Sequence, residues 1–315
     1  MVTVPSLSFQ EFQPGWLEKL PNLRRMIAGG ALGAMNLRTP ERGADDAYLT
    51  LGAGAPAVIR QVAPPLNRGE SWNGAPAEEL YARFFGRPPE PGDVLLPALP
   101  AVRELNGQLP HGARPGMLGQ WLKERGVGRC VFGTGDRGMG DAPTDPDFRQ
   151  RHAAWLLADE AGAVPCGDVG AGTLEADAAR PFGVKTSYAA LLQRIRDSRA
   201  SGRDLVVLAE LGDLGRLYAD RTNYSAGRFR ELKELVLAEM DEFLGAAQSD
   251  LGPEDALWLF SPLPHEEAAA RKMLLVPWVM YPAGENAAGQ GGAILQSAST
   301  RQPGILAHVD FAPTV

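Results

Sequence analysis

The sequence predicts an α/β fold with a mostly parallel central sheet flanked by helices. Strand-like apolar runs alternate with amphipathic, helix-like runs through most of the 315 residues. Several of the strand-like runs are almost continuously apolar, which is typical of strands buried on both faces of a sheet. The main interruption is a Pro- and Gly-rich stretch at 55–115. We interpret it as an irregular insertion or small lobe within one domain covering residues 1–315.

The elements follow from the period of the apolar residues. The predicted strands lie at 2–7, 31–37, 129–135, 204–211, 256–263 and 274–281. The predicted helices lie at 115–125, 147–161, 186–200 and 226–248. In the last helix one apolar stripe is formed by Phe229, Leu232, Leu235, Val236, Met240, Phe243 and Leu244. Ser225 precedes this helix and is its predicted N-cap.

Composition narrows the classes of function. A hydrophobic fraction of 44% and a charged fraction of 22% are typical of a globular domain. The formal net charge is −7 and there is no run of Lys or Arg, so we expect no nucleic-acid partner. No window of about 18 consecutive apolar residues is present, so we expect no membrane span within this chain.

The two cysteines do not predict a metal site. Cys130 lies in a strand-like run, which favours a buried thiol, and Cys166 lies in a predicted loop. Their spacing fits no zinc motif. A disulfide between them stays open as an alternative.

The segment 21–54 gives the most specific local pattern. A short amphipathic helix with Leu23 and Met26 runs into glycines, and the strand-like ALGAMNLRT follows. After a polar loop, a second helix leads to a glycine turn. Asp45 and Asp46 stand at the start of this helix and are predicted to cap it.

This segment, PNLRRMIAGGALGAMNLRTPERGADDAYLTLGAG, resembles the opening of alkaline-phosphatase-like and sulfatase-like hydrolases. Three further stretches, at 205–244, at 256–261 and at 276–284 followed by 299–315, resemble later blocks of the same superfamily, which also includes the phosphoglycerate mutases. The resemblance covers both ends and the middle of the chain. It implies the α/β fold of that superfamily.

The resemblance also implies a chemistry. Superfamily members hold two divalent metals with Asp and His, and a Thr, Ser or modified Cys attacks phosphorus or sulfur. Here Pro5 stands where the first Asp is expected, and Leu217 stands where a His should follow Asp213. Pro262 and Leu263 replace an Asp–His pair. The last His is expected near 268–272, which reads AAARK.

The remaining candidates for metal ligation are Asp213 and His265. Asp213 is alternatively a structural residue at a strand end. His265, with Glu266 and Glu267, is alternatively a solvated helix start, where acidic residues favour the positive helix end. His308 and Asp310 form a further pair, alternatively read as a strand-end pair.

The candidates for catalysis follow the strand at 31–37. Thr39 is the candidate nucleophile, and Asn36 and Arg38 are candidates to hold an oxyanion. Alternatively, Thr39 only forms a turn beside Pro40.

Two functions therefore compete. The first is a degenerate superfamily member without two-metal catalysis that binds a small anionic ligand or a protein partner. The second is an active phospho- or sulfo-ester hydrolase or transferase with a rearranged site that holds Zn, Mn or Mg. The start and the end of the chain suggest a fragment of a larger, membrane-anchored protein that lies outside the cytoplasm.

Overall fold

The structure is a computed structural model, and it describes residues 1–37, 39, 41, 43–90, 92–140, 147–200, 202–283 and 292–315. The α/β class is confirmed. The strands are β1 Val2–Thr3, β2 Ala31–Asn36, β3 Leu66–Asn67, β4 Ser71–Trp72, β5 Ala75–Pro76, β6 Val94–Leu95, β7 Gly128–Thr134, β8 Ala163–Val164, β9 Cys166–Asp168, β10 Leu174–Ala176, β11 Val184–Thr186, β12 Leu205–Leu211, β13 Ala256–Phe260, β14 Leu275–Pro282, β15 Ala293–Ile294 and β16 Ile305–Ala307.

The α-helices alternate with these strands. They are α1 Pro14–Leu17, α2 Pro21–Ala28, α3 Ala44–Ala53, α4 Ala77–Phe85, α5 Leu99–Gly107, α6 Met117–Glu124, α7 Ala154–Leu157, α8 Tyr188–Arg199, α9 Asp213–Ala219, α10 Ala226–Ser249, α11 Glu266–Ala270 and α12 Phe311–Thr314.

The chain divides into two compact units, which are described separately. Unit 1 comprises Met1–Leu37 and Leu211–Ala307, and unit 2 comprises Arg38–Glu210 and His308–Val315. The interpretation of residues 1–315 as one domain stays a prediction.

The sheet of unit 1 has the strand order β15-β2-β14-β13-β1, and β16 also pairs with β2. Strand β1 is parallel to β13, and β15 and β16 are parallel to β2. Strand β14 runs antiparallel to both of its neighbours. The apolar run at 274–281 predicted this strand correctly, and its residues Trp278 and Val279 are fully buried.

Helices α2 and α10 pack against each other in unit 1. The carboxylate of Asp241 accepts the backbone N–H groups of Asn22 (3.0 Å) and Leu23 (2.7 Å). It thereby satisfies donors that a helix start leaves without an intrahelical partner. The predicted N-cap of α10 is confirmed, since Ser225 accepts from the N–H of Arg228. The apolar stripe predicted for α10 is wrong at one residue, because Leu235 is 46% exposed and lies off the buried face.

Unit 2 is organised around α3, in which every residue from Asp46 to Ala53 is buried. Strand β9 is parallel to β7. The stretch 55–115 is less irregular than predicted. It forms helices α4 and α5 together with short strands, and Leu66, Tyr81 and Leu95 belong to one buried apolar cluster. The predicted helix 147–161 is reduced to Ala154–Leu157.

The cysteines form a disulfide, so the expectation of a buried thiol is wrong. Cys130 of β7 and Cys166 of β9 lie opposite each other in the parallel pair, with Cα atoms 4.5 Å apart. Cys166 is part of a strand, not of a loop. The apolar run around Cys130 predicted its burial but carried no information about the strand beside it.

Candidate ligand-binding site

In unit 1, three segments that the resemblance assigns to metal ligands come together. The N–H of Val4 donates to the carbonyl of Phe260 (3.0 Å), and that of Ser6 donates to the carbonyl of Leu263 (3.2 Å). A methyl group placed on Gly215 of α9 would lie 3.3 Å from the Cβ of Pro5. The ends of β1 and β13 and the start of α9 therefore meet.

Apolar residues stand at the expected ligand positions of these three segments. Pro5, Leu217 and Pro262 are buried. None of these side chains offers a lone pair to a divalent cation, whose preferred ligands are carboxylate and imidazole groups.

Asp213, a predicted metal ligand, begins α9 and is 4% exposed. Its Oδ1 accepts a hydrogen bond from Nη2 of Arg216 at 2.8 Å, and the Arg216 side chain is also buried. Asp213 is thus one half of a buried ion pair. Its proposed role in metal binding stays a prediction.

His265, the second predicted ligand, is the N-cap of α11. Its Nδ1 accepts the backbone N–H of Ala268 at 3.1 Å, so the proton of the neutral ring is on Nε2. Nε2 lies 3.1 Å from Oγ of Ser8. Burial lowers the pKa of His265, although the Glu11 carboxylate opposes this effect. The helix start was predicted correctly, but the histidine is buried instead of solvated.

His265 belongs to a group that we call the buried polar network, formed by Ser8, Glu11, Tyr218, Lys233 and His265. Oγ of Ser8 donates to Oε2 of Glu11 at 2.8 Å, and Nζ of Lys233 contacts Oε1 of Glu11. Nζ of Lys233 also donates to the Tyr218 hydroxyl at 3.0 Å. The Tyr218 ring stacks on His265 with a centroid distance of 4.2 Å. The network is closed, because its charged groups bind one another.

The structure describes two of the three candidates for catalysis, Asn36 and Thr39. Asn36 ends β2 and is half-buried, and Thr39 is half-buried outside any regular element. Arg38 lies outside the described residues. No group of three or more His, Cys, Asp or Glu side chains that could hold a metal ion occurs in the described part of the chain. The same residues include no helix long and apolar enough to cross a membrane.

Unit 2 contains a polar cavity of roughly 710 Å³ that sequence reasoning did not find. It is lined by the start of α3, by Trp72 and Asn73, and by parts of the segments 59–65 and 147–155. We call it the polar cavity. A volume of this order is typical of sites for small molecules.

An ion pair between His152 and Asp45 lies on the wall of the polar cavity. Nδ1 of His152 contacts Oδ1 of Asp45, and Nε2 lies 2.7 Å from Oε1 of Gln150. Both partners are acceptor oxygens, so the ring donates from both nitrogens, as only the cation can. Burial alone would lower the pKa of His152, but the carboxylates of Asp45, Glu210 and Asp136 together outweigh it and the pKa rises to about 9.

Asp46, which follows Asp45 in the sequence, is buried and does not cap α3. The N-cap of this helix is Gly43, and no side chain caps it, so the predicted capping role of Asp45 and Asp46 is wrong. Oδ1 of Asp46 accepts the N–H of Ile59 at 2.8 Å. Burial raises the pKa of Asp46 to about 6 although this hydrogen bond opposes the change.

Two arginines complete the polar wall. Nε of Arg151 donates to Asp136 at 2.9 Å and its Nη atoms bind Glu70, so Arg151 is fixed on both sides. The Arg149 guanidinium lies 5.5 Å from the ring centroid of Trp72. This placement is a cation–π contact that holds the side chain against the indole.

Of the carboxylates that line the polar cavity, three lie beside cations and Asp46 accepts the backbone N–H of Ile59. Glu41 pairs with Arg60 at 2.8 Å, Asp147 lies 3.5 Å from Arg137, and Asp45 pairs with His152. The cavity wall thus carries charged groups of both signs, Arg149 among them.

Comparison with known proteins gives a fold-level result. No family model and no curated protein sequence matches the chain. Among solved structures, the lipoteichoic acid synthase LtaP from Listeria monocytogenes superposes with a TM-score of 0.54 at 10% sequence identity, covering 99% of this chain and 69% of LtaP.

Two other similar structures superpose less well. The phosphoglycerol transferase GacH from Streptococcus pyogenes gives a TM-score of 0.48 at 10% identity, covering 99% of this chain and 72% of GacH. The protein PH0037 from Pyrococcus horikoshii gives 0.47 at 12% identity, covering 99% and 93%. At such identities the likeness concerns the fold alone.

Proposed function

We propose that this chain, which has the fold of the alkaline-phosphatase-like superfamily, is a degenerate member that binds a small anionic ligand without two-metal catalysis. One observation carries this proposal. Where the resemblance expects metal ligands beside β1, β13 and α9, the chain has the buried apolar residues Pro5, Pro262 and Leu217. The residues present there do not fit a two-metal site, which needs several carboxylate and imidazole ligands.

The engagement of the two remaining candidate ligands supports the same proposal. Asp213 binds Arg216, and both ring nitrogens of His265 have protein partners. Recruiting either side chain to a metal would leave a buried group unsatisfied, which costs about 1–3 kcal/mol per group.

The polar cavity of unit 2 is the proposed binding site. Its wall carries the His152 cation, which is paired with Asp45, and the Arg149 guanidinium, which lies over Trp72. A cation held in place before binding loses little side-chain entropy when the ligand arrives.

Anion binding is tested by isothermal titration calorimetry with methyl phosphate at low salt. We expect Arg149→Gln to weaken binding about tenfold, in the range for one charged hydrogen bond. The control is Arg230→Gln, which removes the same charge from the exposed face of α10. Equal loss in both variants would show that only the net charge matters and would contradict the proposed site.

The alternative function is an active, metal-dependent phospho- or sulfo-ester hydrolase or transferase. It would use Thr39 as nucleophile, Asn36 and Arg38 to hold the oxyanion, and Asp213 and His265 around a Zn, Mn or Mg ion. Turnover of phosphomonoester, phosphodiester and sulfate ester substrates is measured while each metal is titrated. Metal-dependent turnover that Asp213→Ala and Thr39→Ala both abolish would replace the first proposal by this one.

The Cys130–Cys166 disulfide supports a location in an oxidising compartment, outside the cytoplasm. The test is alkylation of protein from its native source without reductant, followed by mass spectrometry. Two unmodified cysteines that become reactive only after reduction are expected. Two alkylated cysteines before reduction would contradict the proposed location.

A further inference from the structure

We propose that unit 2 has a second binding site, for an aromatic zwitterion such as a free aromatic amino acid, in a cavity lined by helices α4 and α5. This cavity has a volume of roughly 560 Å³, which is in the range of small-molecule sites, and we call it the α4–α5 cavity. Its charged residues, Arg83 and Glu104, do not line the polar cavity. The inference therefore does not rest on the anion site proposed there.

Helix α4 gives the cavity an exposed aromatic ring. Its residues Ala77, Leu80 and Tyr81 are buried and belong to the apolar cluster of unit 2. Phe84 continues the same stripe at helical spacing, but it is 50% exposed and lines the cavity together with Leu80. A ligand that covers this ring removes apolar surface from water, which stabilises the complex.

Helix α5 contributes the face opposite its buried residues. Leu99 and Val102 are buried. Pro100, Ala101 and Glu104 lie on the other side of the helix and line the cavity. Proline and alanine side chains have no rotamer freedom to lose when a ligand arrives, so this wall is preorganised.

The cavity also carries two opposite charges, on Arg83 of α4 and Glu104 of α5. Both side chains are exposed, and within the residues that the structure describes neither has a hydrogen bond or an ion pair. The neighbouring Arg103, in contrast, pairs with Glu160 at 3.0 Å. One cavity thus offers a cation and an anion that do not bind each other.

These features fit a ligand that combines a ring with charges of both signs. A carboxylate can accept two parallel hydrogen bonds from the Arg83 guanidinium. An ammonium group can bind the Glu104 carboxylate, and the ring can cover Phe84. An aromatic amino acid has all three groups in one small molecule, whereas a purely anionic or cationic ligand would use only one of the two charges.

The test compares four probes by isothermal titration calorimetry at low salt. L-tryptophan has all three groups, tryptamine lacks the carboxylate, indole-3-propionate lacks the ammonium group and glycine lacks the ring. We expect L-tryptophan to bind about three- to tenfold more tightly than either singly charged indole, as one partly exposed ion pair predicts. It should bind about 10- to 100-fold more tightly than glycine, as burial of one ring system predicts.

Two variants assign the charges. Arg83→Gln should remove the advantage of L-tryptophan over tryptamine without weakening tryptamine. Glu104→Gln should remove its advantage over indole-3-propionate without weakening that anion. The matched controls are Arg87→Gln and Glu79→Gln, which remove the same charges from exposed residues that do not line the cavity, and both should keep the wild-type ratios.

Two further variants locate the ring. Phe84→Ala removes the exposed aromatic side chain and Ala101→Phe fills the cavity, so each should weaken the binding of L-tryptophan about tenfold. Both positions are exposed, and neither change disturbs the core.

Several outcomes would overturn the inference. One is no binding of L-tryptophan, or equal affinity for L-tryptophan and both singly charged indoles. Another is equal weakening by Arg83→Gln and Arg87→Gln, because then only the net charge matters. Unchanged affinity in both Phe84→Ala and Ala101→Phe would mean that the ring lies elsewhere. Methyl phosphate tests the polar cavity separately, so failure of one proposal is distinguishable from failure of the other.

Discussion

The buried polar network of unit 1 and the polar cavity of unit 2 use the same kinds of side chain in opposite ways. Each contains a histidine, a carboxylate and a basic group. In the network, Glu11 and His265 are almost fully buried, and their partners are protein atoms. In the cavity, the Asp45–His152 pair faces open volume.

The difference teaches that ionisable residues alone do not mark a site. His265 was a candidate on sequence grounds, but burial lowers its pKa and its nitrogens are engaged. His152 was not a candidate, but Asp45 keeps it charged and it lines a cavity. What matters is whether a ligand can reach the group.

The largest change in stability is expected from a substitution that breaks the buried polar network. Glu11→Gln leaves the Lys233 ammonium buried without its counter-charge, and we expect a loss of about 3–5 kcal/mol in the free energy of unfolding. Urea denaturation measures it. Glu234→Gln is the matched control, because the Glu234–Lys19 pair is exposed and should contribute less than about 1 kcal/mol. Similar losses of unfolding free energy in the two variants would contradict the expectation that the buried Glu11–Lys233 pair matters more to stability than an exposed pair.

The next effect concerns the covalent link of unit 2. Replacing Cys130 and Cys166 together by alanine should lower the free energy of unfolding by about 2–4 kcal/mol, because the disulfide closes a chain segment of 36 residues. The same measurement on the wild type with and without reductant provides the comparison. A variant as stable as the oxidised wild type would show that hydrogen bonding between β7 and β9 suffices.

A smaller effect is expected in the pH dependence of stability, through Asp46 on the wall of the polar cavity. The pKa of Asp46 rises from 3.8 to about 6 in the folded protein, so ionisation opposes folding. Stability from this group is complete below about pH 4 and is lost as the pH rises through 6, by at most about 3 kcal/mol. Asp46→Asn keeps an acceptor for Ile59 and should remove this loss. Parallel stability profiles from pH 4 to 7 for the wild type and the variant would contradict the assignment.

The smallest effect removes one link of the network. The Ser8 hydroxyl accepts from Nε2 of His265 and donates to Glu11. Ser8→Ala should cost about 1–2 kcal/mol in thermal or urea unfolding, because a buried acceptor loses its donor. Ser249→Ala, at the exposed end of α10, is expected to stay within about 0.5 kcal/mol. A neutral Ser8→Ala would mean that the network rearranges around the missing hydroxyl.

Sequence reasoning predicted much of the fold, because local signals report local structure. The buried strands β7, β12 and β14 follow from apolar runs, and α10 follows from its stripe and the Ser225 cap. The helix predicted at 147–161 forms only over Ala154–Leu157, and tertiary hydrogen bonds explain the difference. The N–H of Gly135 donates to the carbonyl of Gln150 and that of Arg137 to the carbonyl of Phe148, which keeps this segment extended.

The candidate site was harder to predict, because its residues come from distant parts of the chain. Asp45 and His152 are 107 positions apart, and Trp72 belongs to a third segment. The resemblance directed attention to Asp213 and His265 instead. A weak signal was present: the run FRQRHAAW places Arg149, Arg151 and His152 beside an apolar stretch. A buried segment with three basic residues needs carboxylate partners from elsewhere.

Gly52 has a consequence for the cavity, although it does not line it. A side chain there would begin 2.7 Å from the carbonyl oxygen of Leu156, so α3 and the segment that carries His152 touch backbone to backbone. A single methyl group at this point acts as a spacer. It would push apart the two walls that hold Asp45 and His152, and so alter ligand affinity from two turns along the helix without changing any charge.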